Sequence, residues 1–347
     1  MKIPKSLISI NSFILITFLM PVIYMLWRFV NFSRSLSSFF QSWDVFGLLF
    51  NTIAVFIAVV ISSLIVGLLI SIVTVRFEFA GSKILFTLCA LPLVIPSYIG
   101  ALTYISAFSP KGLFVQLFNS LGLEEIAGID GFLGSWLVLT LFTYPYVQLI
   151  CSSALRNLDS TVEDAARSLG VSQLKVYTNV VIPRLKKPII YSGLLVGLYV
   201  ISDFGAVSLM RYSTVTKAIY AYYEFSILGD PVIFYSSLLI VLALIISFVQ
   251  RGSATSRSAK VSGTPRVPKK IKLERSGKML TYSFLGFVIL LGLIIPISVL
   301  SFWLLRGIYY GNDVSSSLPG IFGSFSAAIV TSISVSYTHL TLPTSVI

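Results

Sequence analysis

The chain holds little that enzymatic chemistry or metal binding ordinarily needs. Across 347 residues there is one histidine, two cysteines and only 13 acidic side chains, against 25 lysines and arginines. Cys89 and Cys151 both sit inside apolar runs, which reads as buried packing and supports neither a disulfide nor a thiolate metal site. His339 has no His, Cys or carboxylate neighbour at metal-ligand spacing, so it is not promoted to a ligand. No G-x-x-x-x-G-K-[ST] phosphate loop occurs, which excludes nucleotide binding by that route. Nor does any nucleophile, base and orienting group stand out as a catalytic set. Charged residues are only 11% of the chain.

What the chain has in quantity is apolar sequence. Its composition is 56% hydrophobic, with a mean hydropathy of +0.92, which describes a membrane protein rather than a soluble core. Apolar runs fall at 7–28, 50–75, 84–108, 133–155, 189–209, 232–250 and 280–305, and another begins near 320. Each of the first seven has about the twenty residues that cross a hydrocarbon core of about 30 Å. The first follows Lys2 and Lys5 like a signal peptide, but it is too long and lacks a small-residue cleavage site, so it is retained as a helix.

The net charge of +12 would fit a nucleic-acid partner, but its distribution argues against one. With the N-terminus inside, nineteen of the lysines and arginines flank the inner ends of the spans and six the outer ends. The outer side carries Glu124, Glu125, Asp130, Glu224 and Asp230. This bias orients a multi-pass protein with its N-terminus in the cytoplasm.

One polar stretch stands out between two spans, Asp159 to Pro188 within the loop 156–188. Ser160 and Glu163 have capping-box spacing, Gly170 offers a left-handed stop, and Ser172 can cap a second short helix from Gln173 to about Val181. Pro183 and Pro188 are expected to end it. The pattern also fits a DNA-binding helix-turn-helix, but two flanking spans leave no room for the domain such a motif needs. A solvated amphipathic loop without a partner is the plainer alternative.

Glu163-Asp164-Ala165-Ala166, Gly170 and Ile182-Pro183 resemble the EAA loop of binding-protein-dependent ABC importer permeases. In that family the loop is a coupling helix that seats in a groove of the ATP-binding subunit. Here Asp164 stands where the family usually has Glu, with Glu163 just ahead, and which acid makes that contact is left open. The resemblance implies an all-α polytopic membrane protein with six-helix ABC importer transmembrane domains, set in a bacterial inner membrane. It implies as partners two copies of an ATPase subunit, which hold the ATP, and a periplasmic substrate-binding protein. It implies no cofactor on this chain and no nucleic acid.

The resemblance extends over about residues 7–335 and reaches the fused ferric iron branch of these permeases. Asn51-Thr52, the double-proline stretch Leu91 to Tyr98 and the run Ser202 to Leu209 carry it. Thiamine permeases share the architecture. Pro92, Pro96, Asp203, Phe204 and Gly205 are the candidate translocation-path or gate residues. For Asp203 the alternative is a carboxylate that caps a helix break before Gly205. Tyr220, Tyr222 and Tyr223 read first as interfacial aromatics, and Gly193-xxx-Gly197 as a close-packing motif. An ion-coupled secondary transporter would want paired intramembrane charges, and only Asp203 is available.

The chain divides by composition into a first transmembrane domain (1–250), a basic linker (251–279) and a partial second domain (280–335). Ile295-Pro296 in the seventh run echoes Met20-Pro21 in the first, and Phe322-Gly323 echoes Phe46-Gly47, the mark of a fused internal repeat. Residues 336–347 turn polar and read as a non-native tail that ends the second half early.

Overall fold

The structure is a computed structural model. It describes residues 5–30, 44–109, 112–120, 128–158, 161–225, 230–254, 270–309, 323, 326–327 and 329–331. Ser160, most of the linker and the tail 336–347 therefore lie outside the described residues.

Nearly every described segment is helical. In chain order they are α1 (Lys5–Val30), α2 (Val45–Arg76), α3 (Ser82–Ala90), α4 (Ser97–Phe108), α5 (Leu113–Ser120) and α6 (Gly131–Arg156). Then follow α7 (Thr161–Ser168), α8 (Gln173–Val176), α9 (Lys186–Ser202), α10 (Gly205–Leu209), α11 (Val215–Phe225) and α12 (Asp230–Ala254). Last come α13 (Arg275–Ile289) and α14 (Ile295–Tyr309). One small exception to an all-helical reading is a two-residue parallel ladder, β1 (Phe77–Glu78) with β2 (Ile271–Lys272).

Among the described residues, four helical segments are long and apolar enough to cross a membrane: Val45–Arg76, Gly131–Arg156, Pro231–Phe248 and Arg275–Tyr309. The number rises to six if two bent pairs each count as one span. The run at 84–108 is one of these pairs, bent by 95° between Ser82–Val94 and Ser97–Gln116. Pro92 and Pro96 cause the break: Leu91–Val94 tightens into a 3₁₀ turn, and Pro96 starts α4 from an extended conformation. The run at 189–209 is also not one span, because α9 ends at Ser202 and α10 restarts at Gly205.

Helix α2 shows the inverted logic of a membrane core. Ile53, Ile57, Ile61, Ile65 and Leu69 recur every fourth residue and are all exposed. The buried face carries Ser63, Gly67, Ser71 and Thr74. In lipid, small and polar residues turn inward because they gain close approach and hydrogen bonds there. Ser63 pairs with the Thr143 hydroxyl at 2.9 Å, and Ser71 donates to the Gln148 carbonyl at 2.9 Å, both on α6. Gly67 lets the backbones meet: a Cβ there would lie 2.6 Å from Val147 Cβ and 2.7 Å from the Tyr144 carbonyl. The Gly193 and Gly197 pair faces the same helix from α9, against Leu64 and Phe56. Val55, Val59, Leu139, Phe142, Val196 and Val200 fill the space between these three helices.

Two compact units are present, Met1–Pro296 and Ile297–Ile347. This division differs from the compositional one. Leu285, Val288, Ile289 and Leu293 pack with Ile70, Phe79, Cys89 and Tyr144 of the first unit. The stretch 251–279 is likewise shorter than its composition implied, since α12 continues to Ala254 and α13 begins at Arg275. Its end is tied down by the β1–β2 ladder and by Leu273, which packs on the same cluster.

Candidate functional site

Helix α7 ends in the turn its glycine allows. Gly170 has φ +75°, and the Val171 N–H donates to the Ala166 carbonyl at 3.2 Å, the six-to-one bond of a Schellman stop. A Cβ on Gly170 would meet nothing within 4 Å, so the position needs glycine for its backbone and not for space. Val176 N–H then donates to the Ser172 carbonyl at 3.0 Å and opens α8.

The prolines do not end the second helix as expected. After α8 the chain widens into a π turn, Tyr177–Val181, and remains helical through Ile182–Arg184. The Ile182 N–H reaches back five residues to the Tyr177 carbonyl, which re-routes the ladder where Pro183 could not join it. The same device recurs at Leu290–Ile294 before Ile295-Pro296. Pro188 stands in the first turn of α9, where its missing N–H costs little. The change of direction falls at Leu185, where the segments Tyr177–Arg184 and Lys186–Ser202 meet at 63°.

Glu163 is not on the outside of this loop. Its carboxylate is buried and pairs with the Arg76 guanidinium at the end of α2, 2.7 Å apart, with side-chain exposures of 2% and 1%. Ala165 is exposed and Ala166 half-buried, while the Asp164 side chain lies outside the described residues. Tyr177, Val181 and Leu185 pack with Val75 and Leu155, seating the π turn on the ends of α2 and α6. Ile182 is half-buried and Pro183 exposed. The loop therefore presents its tip outward, with Leu169 83% exposed, from a base fixed by one ion pair and one apolar cluster.

The second set of candidate residues meets where two helix breaks face each other. The Ser97 hydroxyl, at the start of α4, donates to the Asp203 carboxylate, which also accepts the Ala206 N–H at 2.9 Å. Asp203 thus satisfies an orphan amide in the first turn of α10 and ties it to α4. Gly205 lies against Tyr98, where a Cβ would come within 2.6 Å of the Tyr98 Cβ. Pro96, Asp203 and Gly205 are therefore brought together. Phe204 instead stacks on Tyr220 at 4.3 Å, and Pro92 packs by Gly292. Tyr222 stacks on Tyr235, and Tyr223 is exposed. Among the described residues no three His, Cys, Asp or Glu side chains group as a metal site would need.

Two residues here escaped the sequence reading. In the sequence Arg76 reads only as a positive span end, and Ser97 only as part of the double-proline stretch Leu91 to Tyr98. Arg76 is 87 residues from its partner and Ser97 is 106, so no local spacing marks them.

A bundle of apolar helices, with a glycine-turned helical loop braced at one membrane face and broken helices meeting inside, is the class of transporter transmembrane domains. The chain belongs to the family of binding-protein-dependent transport system inner membrane components, whose model matches residues 63–256. It is 28% identical over 314 residues to the Fe(3+)-transport system permease protein FbpB 2 of Haemophilus influenzae, covering 88% of this chain and 58% of that protein. The chain thus spans under two thirds of that relative's length. It is 35% identical over 132 residues to the putrescine transport system permease protein PotI of Escherichia coli, covering 38% of this chain and 44% of that one. Among solved structures, the bacterial alginate ABC transporter in complex with an alginate pentasaccharide-bound periplasmic protein contains a similar chain. The TM-score is 0.59 at 14% identity, over 72% of this chain and 93% of that one, which shows the fold.

Proposed function

We propose that the chain is the transmembrane permease subunit of an ATP-driven ABC importer in a bacterial inner membrane, with its N-terminus cytoplasmic. The observation that carries this reading is the braced loop of residues 161–184, whose exposed tip and fixed base suit a part that must be pushed without bending. Two copies of an ATPase subunit would dock there, Leu169 filling an apolar pocket of the partner, and a periplasmic substrate-binding protein would deliver the solute. ATP stays on the ATPase, and this chain carries no cofactor.

Ferric iron is the favoured cargo, because a relative matched over 88% of this chain is an Fe(3+)-transport permease. Closure of the ATPase pair would pull the loop, and the Arg76–Glu163 pair and the Tyr177 seat would pass that displacement to α2 and α6. Helix α9 would swing about the bend at Leu185. That motion would carry the Asp203 junction with it, opening a path lined near Pro96 and Gly205.

The test is uptake of labelled ferric iron by cells that carry the gene with its ATPase and binding protein, beside a Gly170→Val variant. The αL conformation costs a non-glycine residue about 1–2 kcal/mol, and a β-branched side chain more. ATP-dependent uptake lost in the variant is the expected result. Uptake of thiamine, sulfate or putrescine in place of iron would keep the class and replace the cargo. Transport of any solute without ATP would reject the importer in favour of an ion-coupled carrier, for which Asp203 would have to titrate.

A further inference from the structure

On the same membrane face as the braced loop, a cavity of about 440 Å³ opens beside the ends of α2 and α6. Its size falls within the roughly 300–1,000 Å³ of small-molecule sites. Among the described residues its lining includes Lys83, Arg156 and Lys270 and no carboxylate. The three cations come from three distant parts of the chain. Lys83 is in the first turn of α3, Arg156 ends α6, and Lys270 is brought in by the β1–β2 ladder.

The cavity is polar at its donors and apolar at its wall. Arg156 is held over the Phe86 ring, 5.0 Å from its centroid, which fixes the guanidinium at the cavity edge. The N-cap of α3 is Gly81, which has no side chain to satisfy the helix start, and Ser82 adds a hydroxyl at the same end. Thr87 spends its proton on the Lys83 carbonyl at 3.1 Å. Thr74 likewise donates to the Ile70 carbonyl at 2.7 Å, so the side-chain donors left to a ligand among the described residues are three cations and Ser82. Ile84, 67% exposed, extends the apolar surface next to Lys83.

We infer that this cavity binds a phosphate group, carried either by an anionic phospholipid of the loop-side leaflet or by a soluble phosphate. Three exposed positive side chains lining one cavity at the loop-side ends of the helices match such an anion in charge, and basic pockets between membrane helices hold such headgroups elsewhere. Bound phosphate would cross-link α3, α6 and the end of the linker. It would thereby stiffen the surroundings of the loop seat.

The experiment uses the full chain in neutral detergent and follows its thermal unfolding with three probes: short-chain phosphatidylglycerol, phosphatidylcholine of the same chain length, and inorganic phosphate. Stabilisation by phosphatidylglycerol but not by the other two assigns a lipid site. Stabilisation by inorganic phosphate as well assigns the site to the phosphate group itself. Lys83→Gln, Arg156→Gln and Lys270→Gln should each weaken apparent binding about fivefold, and all three together about a hundredfold. Lys83→Arg should retain it. Lys272→Gln removes the same charge from an exposed neighbour outside the cavity and should change little. The inference fails if Lys272→Gln loses as much as each lining variant, or if the triple variant is stabilised like the parent. It fails equally if neither anion stabilises the parent chain.

Discussion

Arg76 and Glu163 join the end of α2 to the first helix of the loop through a bond of 2.7 Å between side chains almost wholly withdrawn from solvent. Removing one partner strands the other charge. For a buried pair that typically costs about 3–5 kcal/mol, whereas replacing both partners with apolar groups is often neutral or favourable. Helix α7 is only eight residues long, so Arg76→Met should release it locally and leave the bundle intact. At tenfold per 1.4 kcal/mol, the opening equilibrium of α7 should rise by about two to three and a half orders of magnitude. Glu163→Gln keeps a neutral acceptor and should lose less, about 1.5–3 kcal/mol. Amide hydrogen exchange over residues 161–176 reads this directly, and solute uptake reads its consequence. The double variant Arg76→Met with Glu163→Leu should recover most of the lost protection. Wild-type exchange in Arg76→Met, or no recovery in the double variant, would refute the brace.

Two further outcomes follow from packing and capping. Gly67→Ala drives a methyl into the α2–α6 contact, 2.6 Å from Val147 Cβ and 2.7 Å from a carbonyl that cannot move aside, so it should cost at least about 1–3 kcal/mol of thermal stability. Asp203→Asn keeps an acceptor for the Ala206 N–H and can donate its Nδ2–H to the Ser97 hydroxyl oxygen, so it should preserve the fold, while Asp203→Ala should cost about 0.5–2 kcal/mol. Folded Asp203→Asn that transports normally identifies a cap; folded protein that transports nothing shows that the charge itself is used.

Much was legible before any coordinates. The apolar runs foretold the long helices, and their ends moved by only a few residues: 133–155 became Gly131–Arg156, and 232–250 became Asp230–Ala254. Gly170 foretold its turn, because no other residue takes a positive φ at so little cost. The prolines were half-legible. That Pro92 and Pro96 would break a helix follows from a missing N–H and a ring clash. That Pro183 would be absorbed by a π turn does not, because that outcome depends on Val75 and Leu155 holding Tyr177 and Val181 in place.

Local sequence settled what each segment could be: membrane-crossing or polar, helical or turned. These are local properties of hydration, backbone freedom and charge. Long-range packing decided that Glu163 turns inward to Arg76, that Asp203 accepts the Ser97 hydroxyl, and that Lys270 joins Lys83 and Arg156 around one cavity. Each is a meeting of groups dozens of residues apart or more, 87 for Arg76 and Glu163 and 106 for Ser97 and Asp203. No periodicity along a chain encodes which distant partner will satisfy a buried charge.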